Sequence, residues 1–176
     1  FGRQRLGDGA DGTIRDDAVF LIASITKPIV AMSALLLVEA GQVRLDDRVS
    51  RYLPEFGNNG KNGIRIRHLL THTSGLPDML AENQQLREAG AGLEEFVAGT
   101  CRVEPDFQPG RGVQYQSMGF AILGEVIARV SGQGCADWLN SQVIEPLGLE
   151  STRLGASDDW FDGERPMGDR IAEIRT

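Results

Sequence analysis

Apolar positions along the chain fall into blocks separated by glycine, proline and charge, and one block dominates. Residues 28–38 are apolar except for Ser33. A block of eleven residues is shorter than the roughly 20 needed to span a membrane, so the pattern predicts a buried helix and no membrane span. That helix is expected to open at Ser24, run to about Ala40 and stop at Gly41, with Pro28 tolerated in the first turn where its missing N–H is not needed. Before it, residues 1–17 mix glycine with scattered charge, which suits a strand end and a loop.

After Gly41 the pattern changes. Leu45, Val49 and Leu53 recur every four residues, with Asp46 and Asp47 placed to start a short helix. Pro54 and the glycines of 57–63 predict a loop. Apolar alternation resumes over 64–70 and passes into the turn-rich Thr71-His72-Thr73-Ser74-Gly75-Leu76-Pro77. A more polar helical region is expected over 79–98, a loop over 105–112, a helix over 117–130 closed by Gly132, and a further helix over 135–143 stopped near Pro146. No repeat or linker divides residues 1–176, which read as one domain.

Composition narrows the classes of function. With 41% hydrophobic and 24% charged residues the chain can bury one sizeable core. Its net charge of -7 and the lack of a basic run exclude nucleic acid as a partner, since a polyanion would be repelled. Cys101 and Cys135 are too few and too far apart for a metal knuckle or a disulfide framework, and read as small buried side chains. No charged and apolar leader opens the chain, and the compartment stays unassigned. Of the 18 basic residues, 16 are Arg and only Lys27 and Lys61 are Lys. Arg keeps its proton, whereas a desolvated Lys can act as a base, so each Lys calls for a reason.

Lys27 has one in Ser24. Residues three apart are neighbours on a helix, so a hydroxyl and an amine there can exchange a proton. Free N–H groups at a helix start also favour negative charge on the serine oxygen, and the apolar stretch after Lys27 is expected to desolvate the amine. Nine Ser and two Lys would give about a tenth of one such match by chance, so the pair needs corroboration. A helix cap and a surface cation form the plain alternative.

Corroboration lies in the surrounding motifs. The run Phe20-Leu21-Ile22-Ala23-Ser24-Ile25-Thr26-Lys27-Pro28 resembles the nucleophile motif of the class C β-lactamase, penicillin-binding protein and esterase family. Leu69-Leu70-Thr71-His72-Thr73-Ser74-Gly75-Leu76-Pro77 resembles a second signature. Tyr115-Gln116-Ser117-Met118-Gly119-Phe120 with Leu123-Gly124 resembles its tyrosine motif, and Pro146-Leu147-Gly148-Leu149 with Thr152 the stretch beyond. The resemblance implies an α+β fold, helices packed on an antiparallel sheet, of which this chain is mostly the helical part. It implies that the early strands and the C-terminal sheet strands, with a Lys-Thr-Gly or His-x-Gly motif, lie outside the chain, leaving room for a partner segment that supplies them.

By the same resemblance Ser24 attacks an ester, D-amino-acid peptide or β-lactam carbonyl, and Lys27 with Tyr115 carries its proton to the leaving group. An acyl-enzyme forms and water releases it; no cofactor is implied. Ser117 stands where β-lactamases carry Asn, as a substrate contact with one hydroxyl in place of an amide, which shifts the expectation toward esters. The competing expectation is a non-catalytic relative or fragment with a binding or scaffold role. A hydrolase using His72 ranks last, because no G-x-S-x-G elbow accompanies it and a structural imidazole suits its Thr and Ser neighbours. His68 is expected at the surface or its boundary. Asp46 and Asp47 read as helix-start residues and Asp158-Asp159 as a solvated loop; neither pair has the company a metal needs.

Overall fold

The block that follows Lys27 folds as the predicted helix, and the rest of the protein is arranged around one side of it. A computed structural model describes residues 13–155, so the Asp158-Asp159 pair and residues 1–12 lie outside the described residues. Helix α1 spans Thr26–Glu39 and buries Val30, Ser33, Ala34 and Leu37. Met32 and Leu35, on its other side, stay exposed. A helix that is apolar all round is suited to burial on more than one face, and here one face lies open.

Five more helices follow: α2 (Ile66–Leu70), α3 (Asn83–Glu88), α4 (Leu93–Arg102), α5 (Met118–Ser131) and α6 (Cys135–Leu139). The core gathers between α1, α4, α5 and α6 and the loops under them. Its fully buried members include Leu53, Phe56, Ile64, Ile66, Leu69, Leu76, Ile122, Leu123 and Ile127. Each fully buried Leu or Ile of this kind contributes roughly 1.5–3 kcal/mol relative to exposure, so this side of α1 is held firmly. Helix α5 stops where expected, at Gly132, whose φ of 72° places it in the left-handed C-terminal cap.

Several expectations are corrected. Ser24 does not open the α-helix; it sits in a 3-10 turn, Ala23–Ile25, one step before α1. The alternation over 64–70 is a short helix, because Ile66 and Leu69 point inward three residues apart. The polar region over 79–98 splits into α3 and α4, broken at Gly90, whose φ is 65°, with Ala91 and Gly92 following. The helix over 135–143 is α6 followed by a π-helical segment, Asn140–Ile144. Asp47 does not start an α-helix: it accepts hydrogen bonds from Arg44 N (3.0 Å), Tyr52 Oη (2.6 Å) and Arg51. Cys101 is only half-buried, while Cys135 is buried as expected. Among the described residues there is no strand, only isolated bridge positions, among them the antiparallel pair Arg48 and Arg65, so these residues supply helices and no sheet.

The second lysine is structural. Lys61 is fully buried and donates from Nζ to Cys101 O (3.0 Å) and to Val103 O, with the Phe56 ring centroid 5.6 Å away. It closes the C-terminal end of α4, where carbonyls lack intrahelical donors and a cation is favoured. Burial is the main reason its pKa lies below the ordinary value.

Candidate functional site

Ser24 and Lys27 come together as their spacing predicts. Lys27 Nζ donates to Ser24 Oγ at 3.0 Å. The residue before the nucleophile candidate, Ala23, has a φ of 44°, a left-handed conformation that costs a non-glycine residue about 1–2 kcal/mol. That turn carries Ser24 out to solvent while α1 anchors Lys27, which is half-buried.

Tyr115 arrives from a distant part of the chain and lies against both. Lys27 Nζ is 4.7 Å from its ring centroid, and hydrogen bonding with Lys27 and then with Ser24 holds its phenol below the ordinary value of 10.0. A nearby cation and donors favour the phenolate, so this tyrosine gives up its proton more easily than a free one. Its ring is half exposed, and the cluster opens to solvent.

What holds Tyr115 there is its neighbour Gln116, which is fully buried. Gln116 accepts a hydrogen bond from Ser74 Oγ and donates from Nε2 to His68 O and Leu69 O, each at 3.1 Å. Its backbone N–H donates to His72 Nδ1 at 3.1 Å. The turn-rich 71–77 segment is thereby tied to the tyrosine motif, and two backbone bonds reinforce the link: Gly110 N to Thr73 O (2.8 Å) and Gln114 N to His72 O (2.9 Å). Gly75 is required for the fit, since its φ is 81° and a Cβ there would meet Phe107 O at 2.4 Å.

His72 matches its structural expectation. With Nδ1 occupied by Gln116, its ring stacks on Tyr115 at 4.7 Å between centroids and sits 5.5 Å from Phe120. Burial, then the charge of Lys27, keeps its pKa below the ordinary value, so it packs as a neutral ring. His68, half-buried at the boundary as expected, uses Nδ1 to accept Arg65 N–H at 3.1 Å and caps the start of α2.

Ser117 stands beside Tyr115 but is not free. Its backbone N–H (2.9 Å) and its hydroxyl (2.6 Å) both donate to Asp78 Oδ1. Asp78, which follows Pro77 immediately, was not singled out by sequence reasoning, nor were the roles of Gln116 and Phe120. The alternation Val113-Gln114-Tyr115-Gln116 points the other way, toward Val113 inside and Gln116 outside, whereas the fold exposes Val113 and buries Gln116; nothing local pointed to Asp78, whose partner lies 39 residues away. Among the described residues no group of three or more His, Cys, Asp or Glu could hold a metal ion. Likewise no described helix is long and apolar enough to cross a membrane.

The chain is similar to known proteins over most of its length. The esterase EstB of Burkholderia gladioli is 38% identical over 164 residues, covering 83% of this chain and 41% of the esterase. Penicillin-binding protein 4* of Bacillus subtilis is 32% identical over 153 residues, covering 80% of this chain and 32% of that protein. The chain thus spans less than half the length of these curated relatives. The crystal structure of a family VIII carboxylesterase superposes with a TM-score of 0.76 at 26% identity, over 92% of this chain and 42% of that one. The fold is therefore of the β-lactamase and transpeptidase type. The family profile described as Beta-lactamase matches residues 2–172, and the chain belongs to that family of serine hydrolases, esterases and penicillin-binding proteins.

Proposed function

We propose that the protein is a serine hydrolase that works through an acyl-enzyme, with Ser24 as nucleophile and Lys27 and Tyr115 as its proton carriers. The observation that carries the reading is the convergence of Lys27 Nζ on Ser24 Oγ at 3.0 Å with Tyr115 against both. A serine hydroxyl is a weak nucleophile at its own pKa and needs an adjacent base. Ser24 Oγ bonds to the substrate carbonyl carbon while its proton passes to the Lys27 and Tyr115 pair. The same proton then goes to the departing alcohol or amine as the carbonyl bond to that group breaks. Water adds to the acyl-enzyme, returns the proton to Ser24 and frees the acid. The substrate class is an ester, a D-amino-acid peptide or a β-lactam, and Ser117 in place of Asn favours esters.

Convergence of the three side chains supports an enzyme over a scaffold, because helical spacing accounts for Lys27 beside Ser24 but Tyr115 comes from 88 residues away to an open surface where its half-exposed ring gains little from burial. The exposed apolar residues Ile25, Met32 and Leu35 of the nucleophile turn and α1 support a further layer over that face, which we take to be the sheet of the family fold. Mass spectrometry of the intact protein after exposure to a fluorophosphonate, an activated ester and a penicillin tests the reading. One adduct, absent in Ser24→Ala, is expected; an adduct that persists in that variant removes Ser24 from the role.

A further inference from the structure

Asp78 sits at the edge of the Ser24 cluster without a place in the reaction just described. Tyr115 is exposed, Gln116 buried and Ser117, the N-cap residue of α5, half-buried, so Ser117 directly follows Tyr115 at the edge of the cluster. Asp78 Oδ1 takes both polar hydrogens of Ser117, at 2.9 Å from N and 2.6 Å from Oγ. A hydroxyl whose proton is committed can offer a substrate only its lone pairs. Ser117 can therefore accept from an N–H or O–H, and cannot donate to a carboxylate or carbonyl.

The charge of Asp78 also reaches the cluster. It acts on Tyr115 and His72 in the sense opposite to Lys27. Among the described residues no basic side chain forms an ion pair with Asp78. The groups facing the site are thus the Lys27 cation, the Asp78 anion, a phenol and a neutral imidazole.

We propose that Asp78 is a specificity-determining residue of the Ser24 site: with its charge, and by converting Ser117 into an acceptor, it selects uncharged acyl donors over those that carry a carboxylate. The inference rests on the assignment of Ser24 as nucleophile and narrows its substrate class to neutral esters. A carboxylate brought within about 6–8 Å of Asp78, at an effective dielectric of about 40 between those of protein surface and water, is disfavoured about 5- to 10-fold.

The test is a matched pair of activated aryl esters of similar size, the butyrate and the hemisuccinate, assayed at low salt on the full chain and on Asp78→Asn. The asparagine keeps Oδ1 as an acceptor for Ser117 and removes the charge alone. The ratio of kcat/KM for hemisuccinate to that for butyrate is expected to rise about 5- to 10-fold in the variant, and its dependence on salt to weaken. Glu39→Gln, which changes the net charge equally at the exposed far end of α1, is expected to move the ratio less than about twofold, since that charge lies about 18 Å along the helix from Lys27 and acts through water. A ratio that Asp78→Asn leaves unchanged, or that Glu39→Gln moves as much, overturns the proposal. Should Asp78→Asn fail to fold, Asp78→Ser, with its own acceptor oxygen, is read by the same ratio. Absence of butyrate turnover that depends on Ser24 refutes the nucleophile assignment itself, and the inference with it; turnover with a constant ratio refutes the inference alone.

Discussion

Gln116→Leu isolates the clamp that holds Tyr115 in place. Leucine nearly conserves the volume, so the loss is of hydrogen bonds and not of packing. In the variant the Ser74 hydroxyl loses its acceptor and the Leu69 carbonyl loses the Gln116 donor, while the His68 carbonyl keeps Thr73 N–H at 3.0 Å. Two buried groups are therefore left unmatched, at about 1–3 kcal/mol each, which gives a destabilisation of about 4 kcal/mol. That is a large share of a typical stability of about 5–15 kcal/mol. Urea denaturation followed by circular dichroism measures it directly. Ser74→Ala should cost about 2–4 kcal/mol, because it strands the Gln116 oxygen and the Leu76 N–H that Ser74 Oγ accepts at 3.1 Å. The two changes share one bond, so the double variant should lose less than the sum by about 1 kcal/mol or more. Additivity within about 0.5 kcal/mol, or a loss below about 1 kcal/mol for Gln116→Leu, would refute the clamp. At temperatures where the variant remains folded, Ser24 acylation should slow as well, since Tyr115 is no longer anchored from behind.

Two further outcomes follow from the same geometry. Lys27→Arg keeps the charge but cannot release a proton, so acylation of Ser24 by an activated ester should fall about 10²- to 10⁴-fold; rates like those of the unmodified protein would make Lys27 purely electrostatic. His68 and His72 are both held below their ordinary value of 6.5, chiefly by burial. The unfolded chain then binds protons first as pH falls, so their stability contribution is full above 6.5 and is lost as pH drops through 6.5 toward the lower folded values. Denaturation midpoints across that window should fall with acidity and do so less steeply in His72→Asn, which tolerates the φ of 59° at this position; an equal slope in that variant would exclude His72.

Local chemistry in the sequence determined a good deal. The apolar block after Lys27 specified α1, Gly132 specified the end of α5, and three-residue spacing was enough to bring Lys27 to Ser24, because a helical turn makes such residues neighbours whatever surrounds them. The Arg-rich composition flagged both lysines, though it could not say that one would face Ser24 and the other would close α4 from within the core. The Ser24 turn, the helix over 64–70 and the break between α3 and α4 were misread, since single turns follow tertiary packing more than local propensity.

The tertiary structure alone decided the contacts that span the chain. Tyr115 stands 88 residues from Lys27 in sequence, and only the fold places its ring 4.7 Å from that amine. Gln116 became a clamp and Asp78 the partner of Ser117 because segments 39 to 48 residues apart were packed together. Helical spacing fixes which near neighbours meet; which distant groups join them depends on long-range packing, and so the Ser24 and Lys27 pair was legible in the letters while the residues packed around it were not.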